Sequence, residues 1–164
     1  MDEIILFKKV CKMSNKEIAK KYEFLGEGIC RKVYSINEDY VVKVAKPDDG
    51  QYQNRVENYV YTHASKDLIK YLCPIVWFDP NRIIMRRAIP LSTLTKDKYI
   101  DPRTIRPEKE SYAELNKLTK KFILDAEDIK STSSWGLLNN ENVLMDYGCT
   151  TYLGDFIYTT FYKW

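Results

Sequence analysis

Leu25-Gly26-Glu27-Gly28-Ile29-Cys30-Arg31-Lys32-Val33-Tyr34, followed at once by Tyr40-Val41-Val42-Lys43-Val44-Ala45, decides how the rest of the chain is read. Two glycines in G-x-G spacing close one apolar run, Val33-Tyr34 opens a second, and a third carries a single lysine among valines and alanine. The backbone of a glycine turn comes close to a polyphosphate because no Cβ intervenes. A lysine rooted in an apolar strand is a fixed point charge against that phosphate. Alone, the stretch predicts a nucleotide clamp built on antiparallel strands.

Working outward, the strand signals cover Tyr22–Gly26, Lys32–Ile36 and Tyr40–Ala45, with Asn37-Glu38-Asp39 as a hairpin turn. Before them, Ser14 and Glu17 form an S-x-x-E capping box that starts a helix over Asn15–Lys21. Residues 1–12 mix apolar and basic positions and fit a strand or a short helix. After them, Pro47-Asp48-Asp49-Gly50 breaks the sheet. Val56, Tyr59, Val60 and His63 then recur at helical spacing within Gln51–Ala64, with Glu57 on a neighbouring face. Pro74–Phe78 and Arg82–Met85 read as a strand pair turned at Asp79-Pro80-Asn81, and Arg86–Leu91 as an extended exit from the sheet. Ser92–Glu108, in a stretch broken by Pro90, Pro102 and Pro107, reads as a loose linker. Glu110–Leu124 is an amphipathic helix with Leu115, Leu118, Phe122 and Ile123 on one side. Asp125–Ser134 reads as a polar loop. Trp135–Leu138 and Val143–Met145 flank a hairpin turn at Asn139-Asn140-Glu141-Asn142, and Asp146-Tyr147-Gly148 follows. The aromatic tail Tyr152–Trp164 is expected to pack back on the body. No internal repeat is visible. The pattern predicts an α+β protein in two lobes, 1–91 and 92–164.

The 164 residues suffice for one good core or a pair of small lobes. A net charge of +3 does not by itself point to nucleic acid. No run of 18 apolar residues is present, which excludes a helical membrane span, and Met1-Asp2-Glu3-Ile4 lacks the start of a signal peptide. A cytoplasmic protein without a membrane partner is expected. Cys11, Cys30, Cys73 and Cys149 form no C-x-x-C pair, and His63 is the only histidine. A zinc site is not expected, and the thiols read as reduced, small apolar side chains.

The parts stand in an order that resembles the protein-kinase-like fold, including compact phage-encoded and atypical small kinases. Gly26 and Gly28 match the first two glycines of the loop over the nucleotide, and Val33 the valine after it. Lys43 matches the strand lysine, Glu57 its helix partner, and Asp146 in D-Y-G the magnesium-binding aspartate. The resemblance spans about residues 22 to 150. It implies bound ATP and magnesium, with adenine against the crossover from Met85 and Arg86 to Ala88. It places the catalytic aspartate at Asp128, with Asp125 as the alternative.

The chain also departs from the pattern. Five residues beyond Asp128 stands Ser133 rather than the asparagine that holds a second metal, and a hydroxyl is a poorer ligand for a hard cation. Position 31, where the third glycine belongs, is Arg31. Arg31 and Lys32 either contact phosphate from the loop or are exposed turn charges. Sixteen residues follow Gly148, too few for an activation segment and a full supporting lobe. The expected function is a minimal ATP- and magnesium-dependent phosphotransferase, phage-encoded and acting in a host cytoplasm. The alternative is an inactive kinase-fold protein that binds and inhibits a host partner. Nucleic-acid binding through Arg31, Lys32, Arg82, Arg86 and Arg87 ranks below both, because the acidic content balances the basic.

Overall fold

The computed structural model describes residues 3–47 and 49–162. Asp48 of the sheet break, and Lys163 and Trp164 of the tail, lie outside the described residues. Two compact units emerge, Met1–Asn58 with Pro74–Arg87, and Tyr59–Cys73 with Ala88–Trp164.

The first unit opens with helices α1 (Glu3–Lys12) and α2 (Asn15–Lys21). The capping box is formed as expected: Ser14 Oγ accepts from the Glu17 backbone, and the Glu17 carboxylate accepts from the Ser14 backbone. Strands β1 (Glu23–Glu27), β2 (Arg31–Ser35), β3 (Tyr40–Ala45), β4 (Ile75–Asp79) and β5 (Arg82–Arg86) make an antiparallel sheet in the order β1-β2-β3-β5-β4. The Asn37 side chain accepts from the Asp39 and Tyr40 backbones, which closes the β2–β3 hairpin where the sequence placed it.

Register fixes which side chains share a face, because side chains alternate along a strand. Tyr34 pairs with Val42 and Val42 with Ile84, and these pack with Phe7 and Val10 of α1 and Ile18 of α2. Lys43 therefore points to the opposite face, in register with Val33 on β2 and Ile83 on β5. Between β3 and β4 the chain forms α3 (Asp49–His63), which runs across the division between the units. Gly50 is the second residue of this helix rather than part of the break. A Cβ there would lie 2.8 Å from Ala45 Cα and closer still to the Cys30 carbonyl oxygen, so only glycine lets the first turn of α3 approach β3.

In the second unit, α4 (Lys66–Ile69) and α6 (Ser111–Phe122) are joined by an ion pair of 2.7 Å from Lys117 to Asp67. β6 (Ile89–Pro90), β7 (Trp135–Leu138) and β8 (Glu141–Leu144) form a small antiparallel sheet. Its hairpin turns on Asn139 and Asn140, both at positive φ, a conformation that asparagine tolerates. The segment expected as a loose linker instead holds α5 (Pro102–Ile105), capped by Asp101, and a buried arginine. Arg106 lies over the Tyr71 ring, donates to the Asn142 carbonyl at 2.8 Å and pairs with Glu108 at 2.7 Å. The expected polar loop holds α7 (Ala126–Lys130) and a single 3₁₀ turn, Thr132–Ser134. Trp135, fully buried, donates its indole N–H to the Ile129 carbonyl and so fixes α7 against β7. The tail forms α8 (Tyr152–Phe161), where Tyr158 is buried and donates to the Phe122 carbonyl. Tyr59, Phe122, Tyr158 and Tyr162 build an edge-to-face aromatic cluster.

Arg106→Ala orphans the Asn142 carbonyl and removes the cation over Tyr71, while half-exposed Glu108 returns to water. A loss of about 2 kcal/mol is expected by urea unfolding. A loss below about 0.5 kcal/mol would return this segment to the status of a linker.

Candidate functional site

Each unit carries its own constellation. In the first, Glu57 on α3 has no solvent exposure. Its carboxylate accepts from Lys43 Nζ at 3.0 and 3.1 Å and from Arg31 at 2.6 Å. Arg31 also donates to Asn54 Oδ1 at 3.3 Å. A buried carboxylate needs cationic partners and hydrogen bonds to remain charged, and here one carboxylate is shared by two. Arg31 is 4 % exposed. Neither sequence-based expectation for it holds: it is not an exposed turn charge, and its guanidinium is committed to Glu57.

The glycine turn is anchored from below. Gly28 N–H donates to the Arg31 carbonyl at 2.9 Å, and Lys46 Nζ donates to the Gly28 carbonyl at 2.7 Å. Lys46 also pairs with Glu27 at 2.9 Å, which holds the Glu27 carboxyl below its usual range. Gly26, beside an irregularity in the β1–β2 ladder, has φ 157°, a conformation that favours glycine. A Cβ added at Gly26 or Gly28 would meet nothing within 4 Å. The turn is therefore bare on its open side, as close approach of a ligand requires. Val33 shares the Lys43 face. Met85, fully buried, shares it too through its pairing with Val41. Arg86 does not, because it pairs with Tyr40 on the α1 face and donates to the Tyr40 hydroxyl at 3.2 Å.

In the second unit, Cys149 gathers the acidic residues. Burial first, and then the charge of Asp128 and a hydrogen bond to it, push the Cys149 thiol up to about 12. Asp125 and Asp146 act on the same thiol in the same direction. Asp128 and Asp146, eighteen positions apart, thus both bear on the Cys149 thiol. Asp125 serves as the N-cap of α7, accepting from the Glu127 backbone at 3.0 Å, so of the two candidates Asp128 is the one hydrogen-bonded to Cys149. Position 133 supplies a hydroxyl that shares a 2.8 Å hydrogen bond with Ser131. Among the described residues no three His, Cys, Asp or Glu side chains form a ready-made metal cage. Magnesium seldom needs one, since one or two carboxylates complete the shell that a nucleotide's phosphates begin. Asp146 is the carboxylate that fits that donor set.

The arginines that suggested nucleic acid are spent inside the protein. Arg82 donates to the Cys11 carbonyl and to Asn15, Arg87 to Ser35, and Arg86 and Arg31 as above. His63 stacks on Tyr59 at 4.0 Å, and its Nδ1 lies 3.0 Å from the Thr62 hydroxyl and 2.9 Å from the Tyr59 carbonyl oxygen. Sequence reading missed the Arg31–Glu57 bond, the Lys46 anchor and the gathering role of Cys149. Only a basic residue at the third glycine position hinted at the first of these.

No protein-family model matches the sequence, and no curated protein matches it significantly. Among solved structures the chain is similar to SAICAR synthase from Saccharomyces cerevisiae complexed with SAICAR. That match has 13% identity and a TM-score of 0.51, over 83% of this chain and 75% of that one. A second similarity is to the streptomycin–ATP–APH(2″)-IIa ternary complex, with 15% identity, a TM-score of 0.45, and coverage of 87% and 69%. Both neighbours have protein-kinase-like folds. The α+β fold of this chain, with its five-stranded antiparallel sheet, is of that kind. At this identity the likeness speaks for the fold alone, and the stronger of the two matches carries it.

Glu57→Ala leaves two buried cations without their shared carboxylate, and a loss of about 3 kcal/mol or more is expected by chemical denaturation. Lys43→Met leaves Glu57 bonded to Arg31 and should cost clearly less; equal losses would contradict a shared carboxylate. At Cys149, a thiol with its pKa at about 12 is ionised roughly a thousandfold less at pH 8 than an ordinary one. Iodoacetamide should therefore label it slowly, and Asp128→Asn, which removes a neighbouring negative charge, should speed labelling several-fold. An unchanged rate in that variant would separate Asp128 from Cys149.

Proposed function

We propose that the protein is a minimal ATP- and magnesium-dependent phosphotransferase. The observation that carries this reading is the buried Lys43–Glu57 pair beside a bare, anchored G-x-G turn. Lys43 is a rigid cation for the phosphates of a nucleotide, and Glu57 holds its ammonium in place. The backbone of Gly26–Gly28 approaches the same phosphates, while Val33 offers apolar surface to the base and buried Met85 backs that face of the sheet.

Asp146 is the residue suited to magnesium, whose chemistry, when bound, is to neutralise charge on the phosphate oxygens. Asp128 accepts the hydrogen bond of the acceptor hydroxyl and orients its oxygen. The bond from that oxygen to the γ-phosphorus forms as the bridge to the β-phosphate breaks, the hydroxyl proton passes to the Asp128 carboxylate, and the diphosphate leaves.

One observation favours a second reading. The position where the fold calls for a metal-binding amide is Ser133, whose hydroxyl is hydrogen-bonded to Ser131. A protein that binds nucleotide and a partner without transferring phosphate accounts for that substitution.

Two measurements separate these readings. Magnesium-ATP at a hundred times its dissociation constant stabilises the fold by about 2.7 kcal/mol, a rise in Tm of roughly 5–10 °C at this size. Labelled γ-phosphate should then appear on protein or on a hydroxyl acceptor, and Asp128→Asn should lower that transfer at least a hundredfold while keeping the thermal shift. A shift without transfer selects the binding protein. No shift at millimolar nucleotide overturns both.

A further inference from the structure

The positive charge of this protein is concentrated on its first two helices. Residues 3–22 hold six lysines, no arginine and two glutamates, a net +4 in a chain of net +3, so the other 144 residues sum to −1. Both glutamates are engaged within the fold: Glu3 accepts from the Tyr40 hydroxyl, and Glu17 closes the Ser14 capping box. Lys8, Lys9, Lys12, Lys16, Lys20 and Lys21 are all exposed. Among the described residues none of them makes an ion pair.

The stripe of α1 that bears Phe7 and Val10 is packed on the sheet. Its other side mixes lysine with apolar surface, since Ile4 and Ile5 are 55 % and 59 % exposed. Ile5, Lys8, Lys9, Lys12, Met13 and Glu17 surround an open depression of about 470 Å³. A strongly net-positive patch with large apolar side chains at its edge marks an interaction surface.

We propose that α1 and α2 form a docking face for an anionic lipid surface. Charge complementarity selects a polyanion, and the isoleucines choose among polyanions. Nucleic-acid backbones offer phosphates but nothing for exposed isoleucines to enter, and this face has no arginine fork to read them. A bilayer with anionic headgroups offers both, with phosphates and carboxylates for the lysines and an apolar layer beneath for Ile4 and Ile5. Lysines without ion-pair partners suit a fluid surface, whose headgroups move to meet them. Because the main apolar stripe of α1 stays packed on the sheet, docking needs no unfolding, and it is reversible and sensitive to salt.

The test is co-sedimentation of the whole protein with vesicles of phosphatidylcholine alone or with 30 mol% phosphatidylserine, near 0.1 M salt. Binding is expected to the mixed vesicles only, and it should fall at least tenfold in 0.5 M salt or in the triple variant Lys8→Glu, Lys9→Glu, Lys12→Glu. Reversing exposed Lys96, Lys98 and Lys109 instead changes net charge equally and should leave binding within twofold. Ile4→Ser with Ile5→Ser should weaken binding several-fold while its salt dependence persists. All these side chains are exposed, and a thermal melt of each variant verifies its fold. The proposal is overturned if phosphatidylserine vesicles do not retain the protein, if the two triple variants behave alike, if the isoleucines make no difference, or if the same lysines bind duplex DNA or RNA but not vesicles.

Discussion

A carboxylate shut away from water has to be answered by cations, and Glu57 is that carboxylate. It lies on α3, while the cations that answer it come from β2 and β3. The demand to satisfy one charge therefore fixes a helix to two strands at once. Gly50 makes this possible sterically, since any side chain there would press the first turn of α3 against Ala45 and the Cys30 carbonyl. The glycine turn inherits its position, because its far end is Arg31. Lys43 is held as a rigid point charge through the same bond, and this converts a structural necessity into a candidate functional device.

The second unit solves a similar problem with the sign reversed. Arg106 is buried, and its guanidinium is met by the Tyr71 ring, backbone carbonyls and Glu108. Nearby in sequence order, the Trp135 indole pins α7, which sets where Asp128 emerges. Cys149 then stands as a neutral thiol on which the charges of Asp128, Asp125 and Asp146 act. A neutral donor tolerates a gathering of negative charge that an ionised group would oppose, and burial keeps this thiol protonated.

What could be read from sequence was local. The Ser14–Glu17 capping box and the Asn37 turn depend on residues within a few positions and stand where the sequence puts them; the second hairpin is also there, but tighter than its four-residue signature, since Glu141 and Asn142 already belong to β8. The strand lysine and the helix glutamate are paired by the resemblance to the kinase-like fold, while the apolar run of β3 and the helical spacing of α3 place the elements that carry them. What was missed depends on distant partners. Arg31 looks exposed until Glu57, 26 residues away, is placed beside it. Arg106 sits in a proline-broken, charged segment whose composition matches a linker, and only Tyr71 and Asn142 reveal it as buried. The five residues of α7 are too few to show a helical period. The resemblance puts Arg86 in the crossover against the base, whereas register in the sheet turns its side chain to the face opposite Lys43.

In the proposed phosphotransferase Lys43 and Glu57 act as one unit on a bound nucleotide. A double-mutant cycle read by calorimetric titration of magnesium-ATP measures this directly, using Lys43→Met, Glu57→Gln and the pair together. The account predicts that either substitution alone weakens affinity about as much as both do, since each removes the same positioned cation. Losses that simply add would contradict it, as would nucleotide affinity that neither substitution changes.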